Sequence, residues 1–232
     1  MLLLTNGEVR GLPAEAGSEV SLRIMRAAKQ LFFERGYADT PLRAIASQAG
    51  TSESGVLRVY GSKNGVLRAV YGSCWAEINE HVERAITEAA QIDPDPRNLL
   101  LALIRAVFHK YETDSAMMTF MLSAFGFRDT TGLSMDTGVD PNIDRKVRDE
   151  YHRYLNRIHG LCAEVVAARP DLTRVGVTPT AVGHVFTSVI YGTQVGWYMA
   201  QQEEAEPVPN ATMEETMAAA RFFLYPERVA DS

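Results

Sequence analysis

Cysteine is nearly absent. Cys74 and Cys162 are the only two among 232 residues, too few for a disulfide framework, so a reducing, cytoplasmic setting is expected. No apolar run approaches the ~20 residues of a membrane-spanning helix; the longest, Leu99 to Val107, is interrupted by Arg105. The opening MLLLTNGEVRG is too short and too poorly flanked for a secretion signal. Strand-period alternation and internal repeats are missing. So are a phosphate-cradling glycine loop, a nucleophile elbow and a paired-carboxylate site. We therefore expect no enzyme, no cofactor and no membrane partner. Net positive charge is also lacking. Lys and Arg number 23 against 29 Asp and Glu, for a formal charge of −6, which at first sight disfavours a nucleic-acid partner.

The distribution of charge reverses that impression. Residues 18 to 68 carry eight basic side chains against four acidic, a local +4, and the rest of the chain carries 15 against 25. A basic head on an acidic body suits phosphate attraction at one end and solubility at the other. With 46% apolar and 22% charged residues, the chain has the composition of a globular protein with room for a real core.

The most heavily punctuated stretch is TPLRAIASQAGTSESGVLRVYGSK, residues 40 to 63. Thr40 is expected to cap a short helix with Pro41 in its first turn. Leu42, Ile45, Ala46 and Ala49 give that helix an apolar face, and Gly50 supplies the left-handed stop. Ser52 is expected to cap a second helix anchored by Val56 and Val59, and Ser62 a third beginning at Lys63. A small residue at a helix crossing, a Gly in the turn and two apolar anchors beyond it are the ingredients of a helix-turn-helix. Upstream, SEVSLRIMRAAKQLFFERG, residues 18 to 36, reads as a helix capped by Ser18 and stopped at Gly36. Its stripe of Val20, Ile24, Ala27, Ala28, Leu31 and Phe32 is wide enough to roof the other two.

Taken together, AAKQLFFERGY, the T-P-L-R-x-I-A-x-x-A-G helix, the S-x-x-x-V-L turn and helix, and Y-G-S-K closely resemble the N-terminal domain of the TetR family of transcriptional repressors. The resemblance covers the first third of the chain. It departs from the family at Glu53, Leu57, Arg58 and Val59, where a Lys, an aromatic and a His are frequent, so base contacts do not transfer residue by residue. On this reading Arg58 meets a base edge or phosphate in the major groove. Ser52, Ser54, Tyr60 and Lys63 meet phosphates, and Gly55 allows close approach. Thr40, Pro41 and Arg43 bring the N-terminus of the preceding helix to the backbone, where its dipole favours an anion. The alternative is an all-α small-molecule-binding or protein-interaction module that has lost sequence-specific readout, which Glu53 and Leu57 favour.

Beyond the head, the pattern of apolar faces, prolines and caps predicts an all-α protein of about nine helices. We expect a tail at 1–17, a head at 18–66, and a ligand-binding and dimerisation body at 67–232. A long helix from Lys63 toward Asp93 joins head to body and is the expected lever between them. Residues 128–140 and the EAEPVPN segment read as loops. Trp75, Phe108, His109, Tyr111, Met117, Met118, Met121, Phe125 and Trp197, with Phe120, Phe127 and Tyr198, are most simply core. As a set, flexible thioethers and aromatics can also line an adaptable apolar pocket. The resemblance implies such a pocket for a small effector, with His109, Tyr111 or His184 as polar handles. His184, Ser188, Gly192 and Gly196 fall four apart as a small or polar ridge. The resemblance implies that this ridge is a homodimer interface, which would present two reading helices to a palindromic operator; the alternative is that it packs against a helix of its own chain. His152, His159 and Cys162 share a helix side but lack a second cluster to complete a metal shell, so no metal is expected.

Overall fold

The computed structural model describes residues 19–130, 141–200 and 212–225, with the side chains at 123–144 and 198–200 left out. The expected tail, the Ser18 cap and the segments 131–140 and 204–210 therefore lie outside the described residues. The same holds for the side chains of Phe125, Phe127 and Tyr198. The regular structure of the described backbone is all helical, with no strand among the described residues. It forms ten helices, α1 (Glu19–Arg35), α2 (Leu42–Gln48), α3 (Glu53–Tyr60), α4 (Lys63–Ile92), α5 (Pro96–Thr113), α6 (Ser115–Thr130), α7 (Pro141–Ala167), α8 (Pro170–Arg174), α9 (Pro179–Ala200) and α10 (Met213–Leu224). The helix beyond the expected nine is α8. Pro170 does stop α7, but it then opens a short helix of its own, because a proline in the first turn lacks only an N–H that has no helical partner. The helix expected to end near Phe127 continues to Thr130.

The chain divides into two compact units, one drawn from Met1–Cys74 and Ala124–Glu150 and the other from Trp75–Ser123 and Tyr151–Ser232.

In the first unit, α1, α2 and α3 pack on one another. Ile24, Ala27, Ala28, Leu31 and Phe32 of α1 are buried with Ile45 and Ala46 of α2 and Val56 of α3. The α2–α3 turn is a Schellman closure. The Thr51 N–H donates to the Ala46 carbonyl at 2.9 Å and the Gly50 N–H to the Ser47 carbonyl at 3.2 Å, with Gly50 at φ +63°. That conformation costs a residue with a Cβ about 1 kcal/mol or more. Arg23 Nε donates to the Ala49 carbonyl at 3.0 Å, satisfying another acceptor at the same helix end. Ser52 accepts from the Gly55 N–H and caps α3, as expected. Ser62 accepts from the Gly65 N–H at 3.0 Å in the first turn of α4.

Two sequence expectations in the head are corrected. The N-cap of α2 is Pro41, without a side-chain cap bond. The Thr40 hydroxyl points the other way, donating to the Gly36 carbonyl at 2.8 Å and toward Leu31 O at 3.3 Å, so it closes the C-terminal end of α1. The apolar anchors of α3 are Val56 and Tyr60, both essentially fully buried, while Val59 is half-buried. Their four-residue spacing fits one helix face better than the pair Val56 and Val59.

In the second unit, α5 packs against both α9 and α10. Leu99, Leu100, Leu103, Ile104, Val107, Phe108 and Tyr111 form its buried face. Asp95 caps α5 by accepting from the Arg97 N–H at 2.9 Å and also holds the Arg97 guanidinium through Nη2 at 2.6 Å. That guanidinium lies over the Tyr225 ring, 4.2 Å from its centroid, and the Tyr225 hydroxyl donates to Asn98 Oδ1 at 2.6 Å. The two ends of this unit's sequence are thus tied through one polar cluster. Thr212 and Glu215 form a reciprocal capping box at the start of α10.

Candidate functional site

The short helix α3 is held rigidly along one side and left open along the other. Val56 and Tyr60 face the core, and the Tyr60 hydroxyl donates to the Ser21 carbonyl of α1 at 3.1 Å. Burial pushes this phenol up to about 12, the Ser21 bond opposing slightly. Tyr60 was expected to reach a phosphate. Its hydroxyl is buried and engaged inside the head, so that role is withdrawn. Thr40 is likewise buried and serves the α1–α2 joint rather than a surface.

The remaining head residues are accessible. Pro41 and Arg43 on α2 are exposed, as are Ser52, Glu53, Ser54, Leu57 and Arg58 on α3. The Ser52 and Ser54 hydroxyls lie 2.9 Å apart at the start of α3. Gly55 is half-buried. A Cβ there would press on the Thr51 Oγ1 at 2.5 Å, so this glycine makes room for the turn whatever else it approaches. Lys63 is half-buried, its Nζ donating to the Ala38 carbonyl at 3.3 Å and standing 4.2 Å from the Tyr37 ring centroid. Desolvation lowers the Lys63 pKa, and the nearby Asp39 carboxylate works against that.

In the second unit the expected effector residues separate into groups. Trp197 contacts Phe108 and Tyr111, with ring centroids 5.4 and 5.0 Å apart. Met117, Met118 and Met121 are buried. Trp75 packs elsewhere, against Tyr151 and Tyr154 of α7 at 5.1 and 5.2 Å. Burial raises the Tyr154 pKa, with Tyr151 adding to it. His109 is exposed and stacks on His81 with centroids 5.9 Å apart. His81 and the Tyr151–Tyr154 pair were not anticipated from the sequence. The tyrosines are three apart on α7 and could have been read as an aromatic edge, whereas His81 meets His109 only through tertiary packing.

His184, Ser188 and Gly192 are exposed along α9, and Gly196 is half-buried. Val185 and Tyr191 on α9, and Phe222 and Phe223 on α10, are large apolar side chains left exposed, the two phenylalanines at 53% and 66%. Neither pair was anticipated from the sequence. His159 makes an edge contact with His184 at 5.7 Å, His152 is exposed, and burial pushes the Cys162 thiol up to about 12. Among the described residues no three His, Cys, Asp or Glu side chains converge as a metal site. None of the described helices is long and apolar enough to cross a membrane.

A trihelical head whose third helix is anchored on one side and presents serines and an arginine on the other belongs to the class of helix-turn-helix DNA-binding domains. Residues 24–70 match the family described as bacterial regulatory proteins, tetR family. The head is a TetR-family domain. Over 101 residues the chain is 31% identical to the HTH-type transcriptional regulator BetI of Stenotrophomonas maltophilia. That match spans 44% of this chain and half of the BetI protein. A transcriptional regulator from Pseudomonas aeruginosa PAO1 shares the fold at a TM-score of 0.63, with 15% identity over 97% of both chains. The transcriptional regulator FadR of Bacillus subtilis, solved with stearoyl-CoA, does so at 0.56, with 18% identity over 88% of this chain and 95% of its own.

Proposed function

We propose that this protein is a ligand-responsive transcriptional repressor that binds a palindromic operator as a homodimer. The observation that carries the reading is the open face of α3, where Ser52, Ser54 and Arg58 are exposed on a helix locked from behind by Val56 and Tyr60. Arg58 contacts a base edge, the two serines and Lys63 contact phosphates, and exposed Arg43 with Pro41 brings the start of α2 to the backbone. Gly55 lets the helix lie close to the groove.

The exposed ridge of His184, Ser188 and Gly192, continued by Gly196 and flanked by Val185 and Tyr191, together with exposed Phe222 and Phe223 on α10, supports pairing of α9 and α10 with a second copy. Apolar side chains of this size left in water on two helices that both pack on α5 favour association. Two copies present two reading helices to successive major grooves. A small, largely apolar or aromatic effector is supported by the Phe108–Tyr111–Trp197 cluster with its neighbouring methionines, and by the stearoyl-CoA held by the FadR neighbour. Release from DNA passes through α4, whose residues belong to both units.

The test is a fluorescence-anisotropy titration, at fixed salt, with duplexes covering the DNA that flanks the protein's own coding region. One duplex should bind well above the rest, and Arg58→Ala should erase that preference while leaving a folded protein. Exposed Leu57 and Glu53 favour a second reading, a head that serves a protein partner. Uniform weak binding to every duplex would support that reading over the first.

A further inference from the structure

Leu57 is 41% exposed on the one helix face that is otherwise polar. At about 100° per residue, Glu53, Leu57, Ser54 and Arg58 span an arc of roughly 140°, with Leu57 inside it rather than at its edge. All four are exposed, whereas buried Val56 and Tyr60 lie beyond the Glu53 edge of that arc. The head around this face carries eight basic groups against four acidic. A polyanion is therefore the occupant that its charge fits.

An isobutyl group within a face seated in a major groove meets base edges. Those edges are almost wholly donors and acceptors. The exception is the C5-methyl of thymine. Against any other edge Leu57 would cover polar atoms without offering a hydrogen bond, an unfavourable exchange. One turn earlier on the same face, Glu53 offers acceptors only. It therefore disfavours the acceptor-rich edge of guanine and suits an exocyclic amino group.

We propose that Leu57 is a specificity-determining residue that reads the C5-methyl of a thymine in each operator half-site. This rests on the DNA-binding reading above. The experiment begins with the full-length protein selecting duplexes from a library with a randomised core. Each thymine of the selected duplex is then replaced by uracil, which deletes the methyl and keeps every hydrogen bond. At one thymine per half-site, uracil should weaken binding about fourfold, and about fifteenfold when both half-sites are changed, the value of one buried methyl each. Leu57→Ala and Leu57→Asn should bind the thymine and uracil duplexes equally. Leu57 is exposed, so both variants should melt like the parent protein.

Failure to enrich any sequence overturns the DNA-binding reading and this proposal together. An enriched sequence that tolerates uracil at every thymine overturns only the role of Leu57. So does a uracil penalty that persists undiminished in the Leu57 variants.

Discussion

The two units hold themselves together by different means. In the head, the turns and helix ends are closed between neighbours in sequence, and the bonds from Arg23 to Ala49, Lys63 to Ala38 and Tyr60 to Ser21 reach across at most 39 residues. The Schellman turn at Gly50, the Ser52 and Ser62 caps and the Thr40 hydroxyl on Gly36 all act within five residues. In the body, a comparable closure joins Tyr225 to Asn98, 127 residues apart, and aromatic contacts join α5 to α9 and α4 to α7. A fold written in local signals can be recognised from a short stretch of sequence. One written in distant contacts cannot, because each side chain is silent until its partner is placed.

The sharpest way to test this contrast is to damage each unit where its own kind of contact matters. Phe108 is fully buried on α5 and touches Trp197. Phe108→Ala should cost about 3–5 kcal/mol, read as a lowered midpoint in urea, with hydrogen-exchange protection lost in α5 and α9. If protection fell equally in α1 to α3, the division into two units would be wrong. Gly65 is the corresponding weak point of the head, since a Cβ there would run directly into the Tyr60 carbonyl. Gly65→Ala should cost about 3 kcal/mol, strip protection from α3, and abolish duplex binding while α5, α9 and α10 stay protected.

These two positions also mark what the sequence could and could not reveal. Gly50, Ser52 and Ser62 were legible because a turn or a cap needs that residue type at that offset, and nothing distant can substitute. Thr40 was misread for an instructive reason. Thr followed by Pro is the pattern of a helix start, and only the packed head shows that the free carbonyls of α1 take the hydroxyl first. Tyr60 was misread because a tyrosine on a reading helix has an apolar body and a polar tip. Composition does not say which end of it faces the protein. In the body, the ridge of His184, Ser188 and Gly192 followed from spacing, but Phe222 and Phe223 did not, since adjacent aromatics in an amphipathic helix are ordinarily divided between its two faces.

A smaller effect separates the two roles conceivable for Tyr60. Tyr60→Phe keeps the buried ring and leaves the Ser21 carbonyl without its donor, which should cost about 1–2 kcal/mol in thermal unfolding. Duplex affinity at a temperature where both proteins are folded should be unchanged. A phosphate-binding hydroxyl would give the reverse result, with weakened binding and unaltered unfolding. The same phenol predicts an alkaline limit. Its pKa rises from 10.0 to about 12 in the folded head, so the folded state holds its proton more tightly than the unfolded chain. The associated stability is complete below pH 10 and falls as pH rises from 10 toward about 12. Tyr60→Phe should remove that part of the alkaline loss.

The smallest expected effect lies in the body and has the opposite sign. His81 is shifted below its ordinary pKa of 6.5, first by desolvation, then by His109, Lys110 and Arg84, with a backbone hydrogen bond to Ala106 opposing. The unfolded chain therefore binds the proton more readily than the folded one. Stability from the neutral imidazole is present above pH 6.5 and is lost as pH falls through the lower folded value. Lys110 is itself tied to Asp114 at 3.0 Å, so that carboxylate is already engaged by a cation when the His81 imidazole charges. His81→Gln should flatten the unfolding midpoint between pH 7 and pH 5 relative to the parent protein. His109→Gln should flatten it less, because His109 is exposed and acts on His81 only after burial has done so. Equal slopes in all three proteins would place the acid sensitivity of the body elsewhere, and the stacked pair would then be a packing contact alone.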